Sequence, residues 1–123
     1  MAIELYIPGQ NADIYAYINP RGEVLAVDFL EGLIPSDRKK TLRLLEEFAR
    51  SGEIRNKEKF RFEEKPIYAF KSFQVRILCF YLPRSSKRTI VLTHGYIKKR
   101  QDLPPAELEK AQRIYKEIVN NLT

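Results

Sequence analysis

Tryptophan is absent from this chain, and cysteine and histidine each occur once, as Cys79 and His94. A single thiol rules out an internal disulfide. Lying in an apolar run, Cys79 reads as a small buried hydrophobe in a reducing compartment, so the cytoplasm is expected. A single imidazole, with no carboxylate–histidine cluster at ligand spacing, gives no reason to expect a metal. A hydrolytic triad would have to form around His94 with no nucleophile elbow to carry it. Glycine is scarce, at five residues, and none builds a phosphate-cradling loop, so nucleotide-dependent chemistry and cofactors are not expected. No run of about 18 apolar residues offers a membrane span. The start, Met1 to Leu5, lacks the basic and apolar regions of a signal peptide. Repeats, low-complexity tracts and linkers are also missing, so residues 1–123 read as a single domain.

Charge is plentiful and unevenly placed. Residues 1–56 hold 7 Lys/Arg against 9 Asp/Glu, residues 57–100 hold 12 against 3, and residues 101–123 hold 3 against 4. The net +6 of the chain therefore comes from the middle segment, at +9. A field this concentrated attracts polyanions, either nucleic acid or an acidic partner segment, although a solvated basic face would have the same composition.

Alternation predicts strands at Ile3–Ile7, closed by Pro8-Gly9, and at Ile14–Ile18 and Val24–Phe29, the last two joined as a hairpin through Asn19-Pro20-Arg21-Gly22. Pro35-Ser36-Asp37 opens a helix with Ser36 as candidate N-cap. Its apolar stripe is Leu42, Leu45 and Phe48, with Leu44 and Ala49 beside them, and Gly52 is the stop. Phe60 and Phe62 alternate with Arg61 and Glu63 in a possible short strand. Three β-rich runs follow, Ile67–Lys71, Val75–Leu82 and Thr89–His94, of which the second is apolar enough for a central strand covered on both faces. Asp102-Leu103-Pro104-Pro105 then leads into an amphipathic helix on Leu108, Ala111, Ile114, Tyr115, Ile118 and Leu122. The fold class expected is α+β, an antiparallel sheet packed against helices with a helix at the C-terminus.

The residues left to carry chemistry are basic and aromatic: Lys71, Arg76, Arg88, His94, Tyr96, Lys98, Lys99 and Arg100. Lysine and arginine can hold RNA phosphates and stabilise charge building on phosphorus, while tyrosine and histidine can stack on bases or move protons. A metal-free ribonuclease needs only these residue types. Taken by themselves, Lys98-Lys99-Arg100 read equally as an exposed basic turn, and His94 and Tyr96 as hydrogen-bonded rings capping a buried strand. Arg76 is harder to set aside, since an arginine entering an apolar strand must be paired or functional.

The run Val75-Arg76-Ile77-Leu78-Cys79-Phe80-Tyr81, then Ile90 to Lys99 with its His94-Gly95-Tyr96-Ile97-Lys98-Lys99, then Pro104/Pro105 and Glu107–Ala111, resembles the RelE/HigB toxin superfamily, most closely its phage-derived branch. The likeness spans roughly residues 24–119 and is most specific over 75–111, with residues 1–22 as an N-terminal extension in strands or loop. It implies a RelE-like fold with a curved antiparallel sheet. It also implies a type II toxin with a cognate helix-turn-helix antitoxin, in assemblies that are often heterotetrameric. Catalytic members cleave mRNA without metal, commonly at the ribosome. By position, Arg76 matches the strand arginine at the scissile phosphate, and Lys98 and Lys99 match the basic pair after the last strand. The family's Leu-Tyr-Glu-Leu-Arg reads here Ile67-Tyr68-Ala69-Phe70-Lys71, so the usual glutamate is Ala69 and the arginine is Lys71. Arg76, Lys98, Lys99, Tyr96 and His94 are thus the expected catalytic set, and Lys71, Arg88 and Arg100 the expected RNA contacts. Two other readings fit the same residues: a catalytically inactive toxin fold that binds a protein target, as gyrase-poisoning relatives do, and a simple RNA-binding domain.

Overall fold

In a computed structural model, which describes residues 2–99 and 103–122, β1 (Ile3–Ile7) and β2 (Ala12–Tyr17) precede α1 (Leu25–Glu31) and α2 (Pro35–Ser51). Next come β3 (Phe60–Glu64), β4 (Ile67–Ser72), β5 (Val75–Tyr81) and β6 (Arg88–Ile97), and α3 (Pro105–Asn120) closes the chain. The strands form one six-stranded curved sheet in the order β1-β2-β6-β5-β4-β3. This is the α+β architecture expected. Every neighbouring pair is antiparallel except β2 and β6, which run parallel.

Both faces of the sheet are covered. On one, α1 and α2 bury Leu30, Leu45 and Phe48 against Ile14, Phe70, Ile77 and Leu92. On the other, α3 lays Ala111, Ile114 and Ile118 over Ile67, Leu78, Phe80 and Val91. β5 is buried from Val75 to Phe80, as its unbroken apolar run predicts. At roughly 1.5–3 kcal/mol per buried large aliphatic or aromatic side chain, these two layers supply most of the driving force for folding.

Two local expectations are corrected. Residues Val24–Phe29 do not return as a strand, because α1 occupies Leu25–Glu31 and only a single bridge, Ile18 to Val24, remains of the hairpin. A short apolar run has no decisive period, and β2 already pairs with β1 on one side and β6 on the other. No edge of β2 is free to take a returning strand. The turn itself forms: Asn19 Oδ1 accepts from the Arg21 and Glu23 amides at 3.0 and 2.8 Å, and Gly22 takes φ 84°. The second correction concerns Ser36, which does not cap α2. Ile34 is the N-cap residue, without a side-chain bond, and Pro35 fills the first helical turn. Gly52 does end α2, in the left-handed region at φ 84° with its amide on Phe48 O at 2.7 Å.

The last strand runs further than the β-rich stretch Thr89–His94 suggests, and it carries a bulge. Leu78 pairs with His94 but Cys79 pairs with Leu92, which leaves Thr93 as the extra residue. Before the bulge, Ile90 and Leu92 face α2 and Val91 faces α3. The extra residue shifts that parity, so His94 and Tyr96 both turn to the α3 face. Gly95 then faces α1, where the Phe29 ring lies so close that a Cβ would collide with Cδ2, Cε2 and Cγ.

Candidate functional site

Register assembles the site. Lys71 of β4 pairs with Arg76 of β5, and Arg76 with Tyr96 of β6, so the three stand abreast on the α3 face. With strands about 4.8 Å apart, they span on the order of 10 Å. Lys98, whose amide bonds Gln74 O at 2.7 Å, continues the row just beyond β6. Arg61 and Glu63 of β3 and Leu103 ahead of α3 complete a cavity of about 50 Å3 lined by Lys71, Arg76, Tyr96 and Lys98.

Arg76 is only 7% exposed, yet no carboxylate of the described residues pairs with it. The ion pairs among the described residues are Arg55–Glu53, Lys87–Asp13 and His94–Glu107, and none includes Lys71, Arg76 or Lys98. Arg76 Nη1 donates to the carbonyls of Phe73 and Val75, which holds the guanidinium at the mouth of the β4–β5 hairpin. Its remaining N–H groups have no protein acceptor among the described residues. Arg76 itself lines the cavity. Burial and the nearby Arg76, Arg61 and Lys98 charges lower the Lys71 pKa, against the pull of Glu63. Burial also lowers that of Arg76, against Tyr96 and Glu63. Burial pushes the Tyr96 phenol up to about 12, with Arg76 opposing and Glu63 and Glu107 adding. Tyr96 is therefore a neutral hydroxyl at physiological pH, a donor rather than a phenolate base. The arrangement is a preorganised anion site beside a proton donor and the Glu63 carboxylate.

Ala69 is 1% exposed and packs beneath α3 with Leu78 and Phe80, beside its cross-strand neighbour Arg61.

The other expected residues fall elsewhere. His94 is 3% exposed and does not line the cavity. Its Nε2 lies 3.0 Å from Glu107 Oε1 and its Nδ1 3.2 Å from Thr93 Oγ1. Burial holds its pKa below the ordinary value, against the Glu107 hydrogen bond. The ring thus bridges Glu107 of α3 and Thr93 of β6, whose hydroxyl donates to the Leu78 carbonyl at 3.1 Å, and so joins β6 to α3. Lys99 is exposed just past β6, outside the cavity. Arg88 opens β6 at the opposite end, eight residues or about 26 Å along the strand from Tyr96. There it donates to Gly52 O at 2.7 Å and lies over the Tyr81 ring. Arg100 lies outside the described residues, as does Asp102.

Sequence reasoning missed Arg61 and Glu63 as site residues. The alternation Phe60-Arg61-Phe62-Glu63 signalled that both share a face, but only the pairing Arg61 to Ala69 brings that face beside Lys71.

Among the described residues no helix is long and apolar enough to cross a membrane, and no group of three or more His, Cys, Asp or Glu is placed to hold a metal. No curated protein matches the chain. A family model described as Phage derived protein Gp49-like (DUF891) matches residues 28–116. That span includes every element from α2 to β6, most of α1 and α3, and all the cavity residues, and it leaves β1 and β2 outside.

Proposed function

This chain belongs to the phage-derived Gp49-like family, a toxin-like family of toxin–antitoxin systems within the RelE/HigB-like superfamily, and we propose that it is the toxin of such a pair, a metal-independent endoribonuclease that cleaves mRNA on the ribosome in the cytoplasm. Membership implies an antitoxin partner in general terms. We take that partner to be a helix-turn-helix protein, in a heterotetrameric complex.

The observation that carries the reading is the row of Lys71, Arg76 and Lys98, which no carboxylate of the described residues pairs, lining one cavity together with Tyr96 and Glu63. In the reaction proposed, the ribose 2′-oxygen attacks the adjacent phosphorus and gives up its proton, with Glu63 as acceptor. The bond to the 5′-oxygen breaks, and that oxygen takes a proton from Tyr96. The products are a 2′,3′-cyclic phosphate and a 5′-hydroxyl. Arg76 and Lys98 bind the non-bridging oxygens as charge builds on them, Lys71 adds positive potential, and Lys99 and Arg100 hold the flanking backbone. Lysine at position 71 contributes a point charge and lacks the bidentate fork of the arginine common in relatives. His94 supports catalysis by fixing β6 against α3.

Induction of the full chain, followed by mapping of transcript 5′ ends, tests this. Growth arrest with cuts at defined codons is expected, and both should disappear with Arg76→Ala. Arrest with intact transcripts would instead support a protein target, and harmless induction would support simple RNA binding.

A further inference from the structure

Phe73 is the most exposed large hydrophobic side chain among the described residues, at 75%, and it sits at the tip of the β4–β5 hairpin with φ 55°. Exposure of the ring does not help the fold, and the positive φ is one that the two-residue turn between Ser72 and Val75 requires of whatever residue stands there. A bulky residue in the left-handed region is strained where glycine or asparagine would be relaxed, and the ring buries almost nothing. A phenylalanine kept at such a turn, with most of its ring in solvent, points to use by a ligand.

The surroundings identify that ligand. The carbonyl of Phe73 is one of the acceptors that hold Arg76, so the ring is placed by the residue assigned to the scissile phosphate. Lys40 Nζ lies 4.6 Å from the ring centroid. Behind the ring, on the α2 side of the hairpin, opens a second cleft of about 460 Å3, where Lys40, Arg43, Lys59 and Lys71 outnumber Glu47 and Glu58. Lys71 borders both this cleft and the smaller cavity, so a chain of phosphates can pass from one to the other over the hairpin tip. An aromatic platform between two basic cavities matches the requirements of single-stranded nucleic acid.

We propose that Phe73 stacks on a nucleobase next to the scissile phosphate, and that the Lys40–Arg43–Lys59 cleft receives the RNA backbone beyond it. This rests on the ribonuclease reading and adds a binding path to it.

Phe73→Trp gives the chain its only tryptophan, a direct reporter of stacking. Titrating that variant with a short single-stranded RNA bearing 2′-O-methyl riboses, which cannot be cut, should quench the fluorescence to saturation. Phe73→Ala and Phe73→Leu should each weaken binding of this RNA about tenfold or more, while Phe73→Tyr should keep it. None of these changes should lower the melting temperature, which separates stacking from a structural role. Lys40→Ala with Arg43→Ala should flatten the salt dependence of binding. Indole fluorescence that stays unquenched in the Phe73→Trp variant, or equal RNA affinity in Phe73→Ala and wild type, would overturn the proposal while leaving Arg76-dependent cleavage standing. Quenching by an acidic peptide and not by RNA would also overturn it. If induced cells showed no cleavage at all, the ribonuclease reading would fall first and the platform with it.

Discussion

Gly95 separates His94 from Tyr96, and its replacement by alanine offers a sharp test of how the site strand is held. The added Cβ meets the Phe29 ring at three carbons, and Phe29 is packed into the layer beneath α1 and α2. Overpacking of this kind costs about 1–3 kcal/mol. Against that, replacing glycine within a strand stabilises by roughly 0.5–1 kcal/mol, through the entropy of the unfolded chain. The net expectation for Gly95→Ala is a loss of up to about 2.5 kcal/mol. In a Phe29→Ala background the collision disappears, so the same substitution should change sign and stabilise by about 0.5 kcal/mol or more. Urea unfolding of the four proteins gives the cycle directly, with unchanged m-values as the check on two-state behaviour. A Gly95→Ala effect of the same sign and size in both backgrounds would refute the claim that Phe29 sets the small residue at this position.

The remaining predictions concern protons and anions. His94 is held below its ordinary value of 6.5, so as the pH falls the unfolded chain takes up its proton first. Its contribution to stability is complete above that value and is lost as the pH falls through the lower folded one. The unfolding midpoint of the wild type should therefore drop relative to His94→Gln between about pH 7 and the mildly acidic range, and a difference independent of pH would contradict the assignment. Inorganic phosphate should raise the melting temperature by relieving repulsion among Lys71, Arg76 and Lys98, and Arg76→Ala should remove most of that rise. Tyr96→Phe should slow RNA cleavage by about 100-fold or more with little change in melting temperature, as expected for loss of a proton donor.

The elements that could be read from the residues alone were those in which one strong local rule acts unopposed. β5 is unbroken and apolar, α2 ends where Gly52 can turn left-handed, and the stripe through Ala111, Ile114 and Ile118 has a helical period. The part that escaped is tertiary. Val24–Phe29 carries no clear period, and its fate depends on β6 having taken the free edge of β2, a pairing between residues more than seventy positions apart. The bulge at Thr93 leaves no mark in composition, yet it decides which side of the sheet His94 and Tyr96 face. For the site, Lys71, Arg76, Tyr96 and Lys98 come together as a basic and aromatic set. Arg61 and Glu63 join it only through strand pairing, and Arg88 is drawn to Gly52 at the far end of β6.

The most direct test of the central claim is the chemistry of the cut ends in transcripts from induced cells. Attack by a ribose 2′-oxygen at the Arg76 site predicts 5′-hydroxyl ends at defined positions in the wild type and none above background in Arg76→Ala. Intact transcripts in arrested cells, 5′-phosphate ends, or the same 5′-hydroxyl ends with Arg76→Ala would contradict it.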